Sequence, residues 1–170
     1  MTQLEFEAHI VEYVNFVYEQ VKSHGNSKGI ATQCTVPREL PIYGPHFLPP
    51  TYTEAHQRSA TPEVTPDTSY LKPVTVVHPF YYPELTQCPQ CDSTDVKWTQ
   101  WAATGHREVH GIFWEETAIG YQLRCKNCET QAGMHGHQGG GMYCFATTSH
   151  LFWERREHWE VPCEYRKWGA

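Results

Sequence analysis

Cys88-Pro89-Gln90-Cys91 and Cys125-Lys126-Asn127-Cys128 are two Cys-x-x-Cys hooks, separated by 33 residues in a chain of 170. Two intervening residues let both thiolates of a hook reach one ion inside a tight turn. The backbone N–H groups of that turn point at the sulfurs and spread their charge. Two hooks together supply four soft ligands, which is the donor set of a closed, tetrahedral, structural zinc site. A closed shell leaves no position for water or substrate, so such an ion holds a fold together and catalyses nothing. Two other readings compete. A coincidence of four core cysteines rarely produces paired hooks, and a thioredoxin-like redox pair calls for a βαβ pattern that neither hook has around it.

The residues between the hooks read as a small sheet. Val96-Lys97-Trp98-Thr99-Gln100-Trp101 is rich in strand formers, and Thr104-Gly105 and Gly111 read as turns. The clearest strand covers 117–125, where Thr117, Ile119, Tyr121, Leu123 and Cys125 alternate with Ala118, Gly120, Gln122 and Arg124. It runs straight into a metal ligand, as a knuckle that must hang from a rigid sheet requires. Fewer than fifty residues bury too little surface to be secure alone. Metal binding to such a unit contributes roughly 10–16 kcal/mol of apparent free energy, which becomes folding free energy.

Further out, residues 3–23 predict an amphipathic helix, with Leu4, Ile10, Val14, Val17 and Val21 at helical spacing and Val11 and Tyr18 beside them. Residues 26–83 hold ten of the twelve prolines and little hydrophobic rhythm. Such a stretch predicts a mostly irregular linker, with Ile42 to Leu48 and Val74-Thr75-Val76-Val77 as islands able to dock, the second as a short strand. Residues 133–141 are glycine-rich. Thr147-Thr148-Ser149 then precedes a short helix over 150–160 that carries Leu151, Phe152, Trp153 and Trp159, and Pro162 stops it. The expected fold is therefore small α+β: a zinc ribbon of about three antiparallel strands with two Cys-x-x-Cys knuckles, flanking helices and a long irregular segment. Its expected parts are an amphipathic helix in 1–25, a Pro-rich linker in 26–83, the ribbon in 84–133, and a Gly-rich loop with a short aromatic helix in 134–170. One structural Zn2+ is expected, on Cys88, Cys91, Cys125 and Cys128.

Other candidate ligands are weaker. His106 and His110 are bracketed by Gly105 and Gly111, which suits a hairpin better than a ligand pair on a helix. His135, His137 and Cys144 offer donors for a second metal, but flexible glycines surround them. Cys34 and Cys163 read as ordinary thiols. No P-loop, Gly-x-Ser-x-Gly or His-Glu-x-x-His motif is present, and the neighbours Glu115 and Glu116 point to opposite sides of a strand and cannot act as a dyad. No catalytic residues and no small-molecule substrate are expected.

Charge bounds the partners. Formal net charge is −6, so no overall basic field draws in nucleic acid. Residues 84–133 carry four basic side chains, Lys97, Arg107, Arg124 and Lys126, against seven acidic ones. Trp98, Trp101 or Trp114 either offer stacking surface to bases or fill the small core. No apolar run approaches the ~20 residues of a membrane span, and Met-Thr-Gln-Leu-Glu-Phe-Glu lacks the positive start of a secretory signal. The expectation is a soluble intracellular protein with reduced thiols, a reading that leaves room for a nuclear location.

Taken together, several stretches resemble the cysteine-cluster domains associated with Kyakuja-Dileera-Zisupton (KDZ) transposases of fungi. They are Cys-Pro-x-Cys at 88–91, Trp98-Thr99-Gln100-Trp101, Thr104-Gly105-His106-Arg107-Glu108-Val109-His110-Gly111, and Glu115-Glu116-Thr117-Ala118-Ile119-Gly120-Tyr121-Gln122-Leu123-Arg124-Cys125. Phe145-Ala146-Thr147-Thr148 and Phe152-Trp153-Glu154-Arg155-Arg156-Glu157-His158-Trp159 extend the likeness to about residues 84–162. The resemblance implies a zinc-chelating module accessory to a mobile element, with Cys88, Cys91, Cys125 and Cys128 as its ligands. Proteins of that type generally continue well past this point, so a chain ending at Ala170 implies a truncated or free-standing copy without a transposase catalytic core. The implied partners are DNA, bound weakly by the chain alone, or a protein such as a transposase. The alternative is a protein–protein adaptor unrelated to DNA, docking through its N-terminal and aromatic C-terminal helices.

Overall fold

A computed structural model describes residues 1–24, 42–49, 70–110, 115–134 and 142–154. They form a mixed five-stranded sheet with three helices. The strands are β1 (His46–Phe47), β2 (Val74–Val77), β3 (Val96–His110), β4 (Glu115–Cys125) and β5 (Cys144–Ala146). The helices are α1 (Gln3–His24), α2 (Lys126–Met134) and α3 (His150–Trp153). Strand order is β1-β2-β4-β3, with β5 also paired to β4. β2 runs parallel to β4, and the other pairings are antiparallel.

α1 forms where periodicity placed it, and its start has a chemical cause. Thr2 Oγ1 accepts the Glu5 N–H at 3.3 Å while the Glu5 carboxylate accepts the Thr2 N–H at 2.7 Å, a reciprocal capping box. The buried stripe is Phe6, Ile10, Val14 and Val17, packed on Val74, Val76, Phe80, Tyr81 and Ile119 of the sheet side. Leu4, expected on that stripe, is exposed, and Phe6 takes the buried place. Gln3 and Glu7 fix the first turns in position. The Lys72 N–H donates to Gln3 Oε1 at 2.8 Å, and the Glu7 carboxylate lies 2.9 Å from His106 Nδ1.

The sheet reaches further upstream than a ribbon confined to 84–133. Of the stretch expected to be irregular, residues 42–49 and 70–83 are described. They carry β1, the predicted strand β2, and a 3-10 turn at Pro83–Leu85. All four residues of β2 are buried. They lie there because β2 pairs Val74 to Thr117 and Val77 to Gly120, beside the middle of β4. Residues 26–41 and 50–69 lie outside the described residues. The turn expected at Thr104-Gly105 is absent; β3 continues through it, and the pairing with β4 shifts register between Trp101 and His106. A bulge absorbs the extra residues and lets one long strand keep its partner.

β2 and β5 flank the same side of β4, one beside 117–120 and the other beside 122–124. Thr147 closes the gap between them. Its hydroxyl donates to the Val77 carbonyl at 2.7 Å and accepts the Tyr121 N–H at 2.8 Å, and its own N–H donates to the Tyr121 carbonyl at 2.9 Å. Its carbonyl accepts the Trp153 indole N–H at 2.6 Å. Gly120 lets this junction approach, since a Cβ there would lie 2.7–2.8 Å from Thr147 and Thr148 side-chain atoms. Thr147→Val keeps the shape but strands two backbone groups, so we expect a loss of about 1–3 kcal/mol, measured by denaturant unfolding of the metal-loaded protein.

His78, just after β2, is packed against the rings of Tyr18, Trp101 and Tyr121. Its Nδ1 accepts the Phe80 N–H at 3.1 Å, and burial pushes its pKa down from the usual 6.5 to about 3. The unfolded chain therefore binds a proton that the folded one refuses between those two values. This stabilisation is complete above pH 6.5 and fades as pH falls toward 3, by on the order of 5 kcal/mol in all. Because His78→Phe has nothing to protonate there, the parent should lose stability relative to it as pH falls through that window. Parallel curves for the two proteins would contradict the account.

Candidate metal centre

The first hook follows the 3-10 turn and folds back on itself. The Asp92 N–H donates to the Cys88 carbonyl at 3.0 Å and the Cys88 N–H to the Ser93 carbonyl at 2.9 Å. Asp92 takes a positive φ of 55° to complete the reversal, a conformation its side chain tolerates better than most. Inside the turn the Gln90 N–H points at Cys88 Sγ, 3.4 Å away.

The second hook is built differently. Cys125 is the last residue of β4, and α2 begins at Lys126. The Cys128 N–H points back at Cys125 Sγ at 3.5 Å. Cys125 thus occupies the position of a side-chain cap, with its sulfur at the positive end of a helix. α2 was not foreseen, because 126–134 lacks an apolar rhythm and contains Gly133. A Cys-x-x-Cys at the end of a strand, with an acidic residue following, was the available signal. The Lys126 N–H donates to the Asp95 carbonyl at 3.1 Å, and the Lys126 ammonium lies 3.1 Å from the Asp95 carboxylate. These contacts seat the second hook against the first.

The four predicted ligands converge. Cys88, Cys91, Cys125 and Cys128 place their sulfurs within 4.8 Å of one another, and none is in a disulfide. Cys88 lies 3.7 Å from Cys128, Cys91 lies 3.6 Å from Cys125, and Cys91 lies 3.5 Å from Cys128. Metal–sulfur bonds of about 2.3 Å in a tetrahedron require sulfur–sulfur edges of ~3.8 Å. The cluster therefore has the size that a metal ion demands, and its donors fit one. Cys88 is 1% exposed, Cys125 0% and Cys128 3%, whereas Cys91 is half-buried.

Electrostatics separate the thiols. Burial raises the pKa of Cys88 and of Cys128. At Cys91 burial acts in the same direction, but the Ser93 N–H, the Asn127 amide (Nδ2 at 3.5 Å from the sulfur) and the neighbouring thiols outweigh it. The net effect brings Cys91 down to about 7. Protons leave as metal enters, so affinity falls with falling pH.

The other candidates do not join this cluster. His106 pairs with Glu7, and His110 lies 3.4 Å from Glu115. Cys144 is exposed on β5. His135, His137, Cys34 and Cys163 lie outside the described residues. Among the described residues the four-cysteine group is the only one able to hold a metal. Glu115 and Glu116 have separate partners: Glu115 contacts Lys72 at 2.7 Å, while Glu116 lies near His46 and Thr75. Trp101 packs into the core beneath α1 and donates to Asn15 at 2.9 Å, and Trp98 packs beside the cysteines. Trp114 lies outside the described residues.

No protein-family model, curated protein or solved structure matches the chain. Among the described residues no helix is long and apolar enough to cross a membrane.

Each of the variants Cys88→Ser, Cys91→Ser, Cys125→Ser and Cys128→Ser should lose the bound metal and the packing around it, read by elemental analysis and tryptophan fluorescence. Cys34→Ser and Cys163→Ser should keep both. Retention of metal by all six variants would refute the assignment.

Proposed function

We propose that this chain is a non-enzymatic structural-zinc module of a transposon-associated protein, serving DNA or protein recognition. The observation that carries the structural part is the cluster of four thiols, all within 4.8 Å of one another, at the base of the β3–β4 pair. All four donors come from two knuckles, one preceding β3 and one ending β4, the arrangement of a zinc ribbon on a larger sheet. Zinc suits four thiolates in a tetrahedron because it has no geometric preference of its own and no redox chemistry to expose. Once four sulfurs surround the ion no coordination position is left for chemistry. The association with a KDZ-type element rests on the sequence resemblance over 84–162.

Two observations weigh between DNA and protein as the partner. Three of the described cations are engaged by acids: Lys72 with Glu108 and Glu115, Arg124 with Glu129, and Lys126 with Asp95. Among the described side chains this leaves Lys97 and Arg107 to neutralise phosphates. The adaptor reading gains from Leu4 and Phe16, which stay exposed on α1 after its stripe is buried. It loses Phe152 and Trp153, which are buried in the chain's own core. The balance favours recognition of a protein partner, with DNA contacts secondary.

Affinity for DNA follows the number of phosphates neutralised, and the salt slope reports that number. We expect weak duplex binding by this chain alone, with a shallow slope between two salt concentrations. Tight binding with a steep slope would place DNA first instead. Elemental analysis of protein purified without added metal should find close to one zinc per chain, and another metal in its place would overturn the zinc reading.

A further inference from the structure

Of the four cysteines Cys91 is the least buried, and its sulfur lies close to both members of the opposite hook. Cys88, Cys125 and Cys128 are 1%, 0% and 3% exposed, while Cys91 is half-buried. From Cys91 Sγ, the sulfurs of Cys128 and Cys125 are 3.5 and 3.6 Å away. An oxidant approaching the centre therefore meets Cys91 first, and an oxidised Cys91 has two thiolates of the second hook within one short movement.

We propose that Cys91 is an oxidative modification site, through which a peroxide opens the metal centre by forming a disulfide between the two hooks. The proposal rests on the zinc reading above. In the first step the Cys91 thiolate attacks a peroxide oxygen. The O–O bond breaks, an S–O bond forms, and hydroxide leaves, giving a sulfenic acid. A thiolate of the second hook, from Cys125 or Cys128, then attacks the Cys91 sulfur; the S–S bond forms and a second hydroxide leaves. Two thiolates have lost two electrons, and one peroxide has gained them. The two remaining cysteines cannot complete a tetrahedron, so the ion departs. A dithiol reverses the bond and zinc restores the site, because the oxidation stops on the reversible part of the cysteine ladder.

The geometry also fixes what happens elsewhere. Cys144 is exposed but belongs to no cluster among the described residues. It should react with electrophiles without loss of zinc. Trypsin separates the two hooks, since cleavage after Arg58 and Lys97 leaves Cys88 and Cys91 together on peptide 59–97. Cleavage after Arg124, Lys126 and Arg155 puts Cys125 on 125–126 and Cys128 on 127–155 together with Cys144, so a cross-link to 127–155 is assigned to Cys128 in the Cys144→Ser variant.

The experiment begins by confirming one zinc per chain in the purified full-length protein; metal-free protein would contradict the zinc reading and this inference with it. The zinc-loaded protein is then treated with one equivalent of hydrogen peroxide while a chromogenic chelator reads released zinc. We expect about one zinc released per peroxide consumed, a cross-link from 59–97 to 125–126 or 127–155, and recovery with dithiothreitol plus zinc. A substoichiometric maleimide should label Cys91 ahead of Cys88, Cys125 and Cys128. Cys144→Ser should release zinc at the parent rate and still form the cross-link. Even labelling of the four, an internal Cys88–Cys91 disulfide, zinc retained under peroxide, or release abolished by Cys144→Ser would each overturn the proposal while leaving the zinc reading intact.

Discussion

Cys125 is at once the end of β4, the residue before α2 and one corner of the thiol tetrahedron. Through that corner the metal centre is continuous with the backbone of the strand on which β2, β3 and β5 all pair. The opposite corner, Cys88, follows the turn at Pro83–Leu85 and so ties the segment leading out of β2 to the same point. Four thiolates without a cation would repel one another, and three of them are almost fully buried. A bound metal turns that liability into a cross-link. It draws together residues 34 or more positions apart in sequence, as between Cys91 and Cys125, and removes the loop entropy that their contact would otherwise cost.

The packing divides around this arrangement into two cores. One is α1 laid on Val74, Val76, Phe80, Tyr81 and Ile119. The other gathers Val77, Leu85, Leu123, Phe145, Phe152 and Trp153 around Cys88, Cys125 and Cys128. β2 contributes to both, with Val74 and Val76 in the first and Val77 in the second. Thr147 sits where they meet and satisfies backbone groups of β2 and β4 together. The metal-side core is small and built largely from single side chains on short elements. A bound ion would support it more directly than the α1 core, because three of the clustered cysteines are themselves part of its interior.

The four-cysteine cluster was legible in sequence because it rests on a local rule, the two-residue spacing that lets one turn present two sulfurs. α1 was legible for the same kind of reason, a 3.6-residue period backed by Thr2 and Glu5. The place of β2 was harder to see. Val74–Val77 looks like a strand, but nothing local says that it pairs in parallel with a strand forty residues later. A proline-rich neighbourhood argued for irregularity, and tertiary pairing overrode it. The continuity of β3 through Thr104-Gly105 was hidden in the same way, since a bulge and a turn share glycine. The start of α2 depends on Cys125 acting as both ligand and cap, and propensity tables carry no signal for that. The exposed place of Leu4 and the buried place of Phe6 show the limit of periodicity alone, which fixes a stripe to within a residue or two at a frayed end.

The account's central claim is that one ion is enclosed by four sulfurs and nothing else. X-ray absorption fine structure at the edge of the bound metal measures this directly in solution. The account predicts a first shell of four sulfur scatterers at about 2.3 Å, with no nitrogen or oxygen among them. A shell containing histidine nitrogen or water oxygen would contradict it, because the site would then be open and a purely structural role would no longer follow from its geometry.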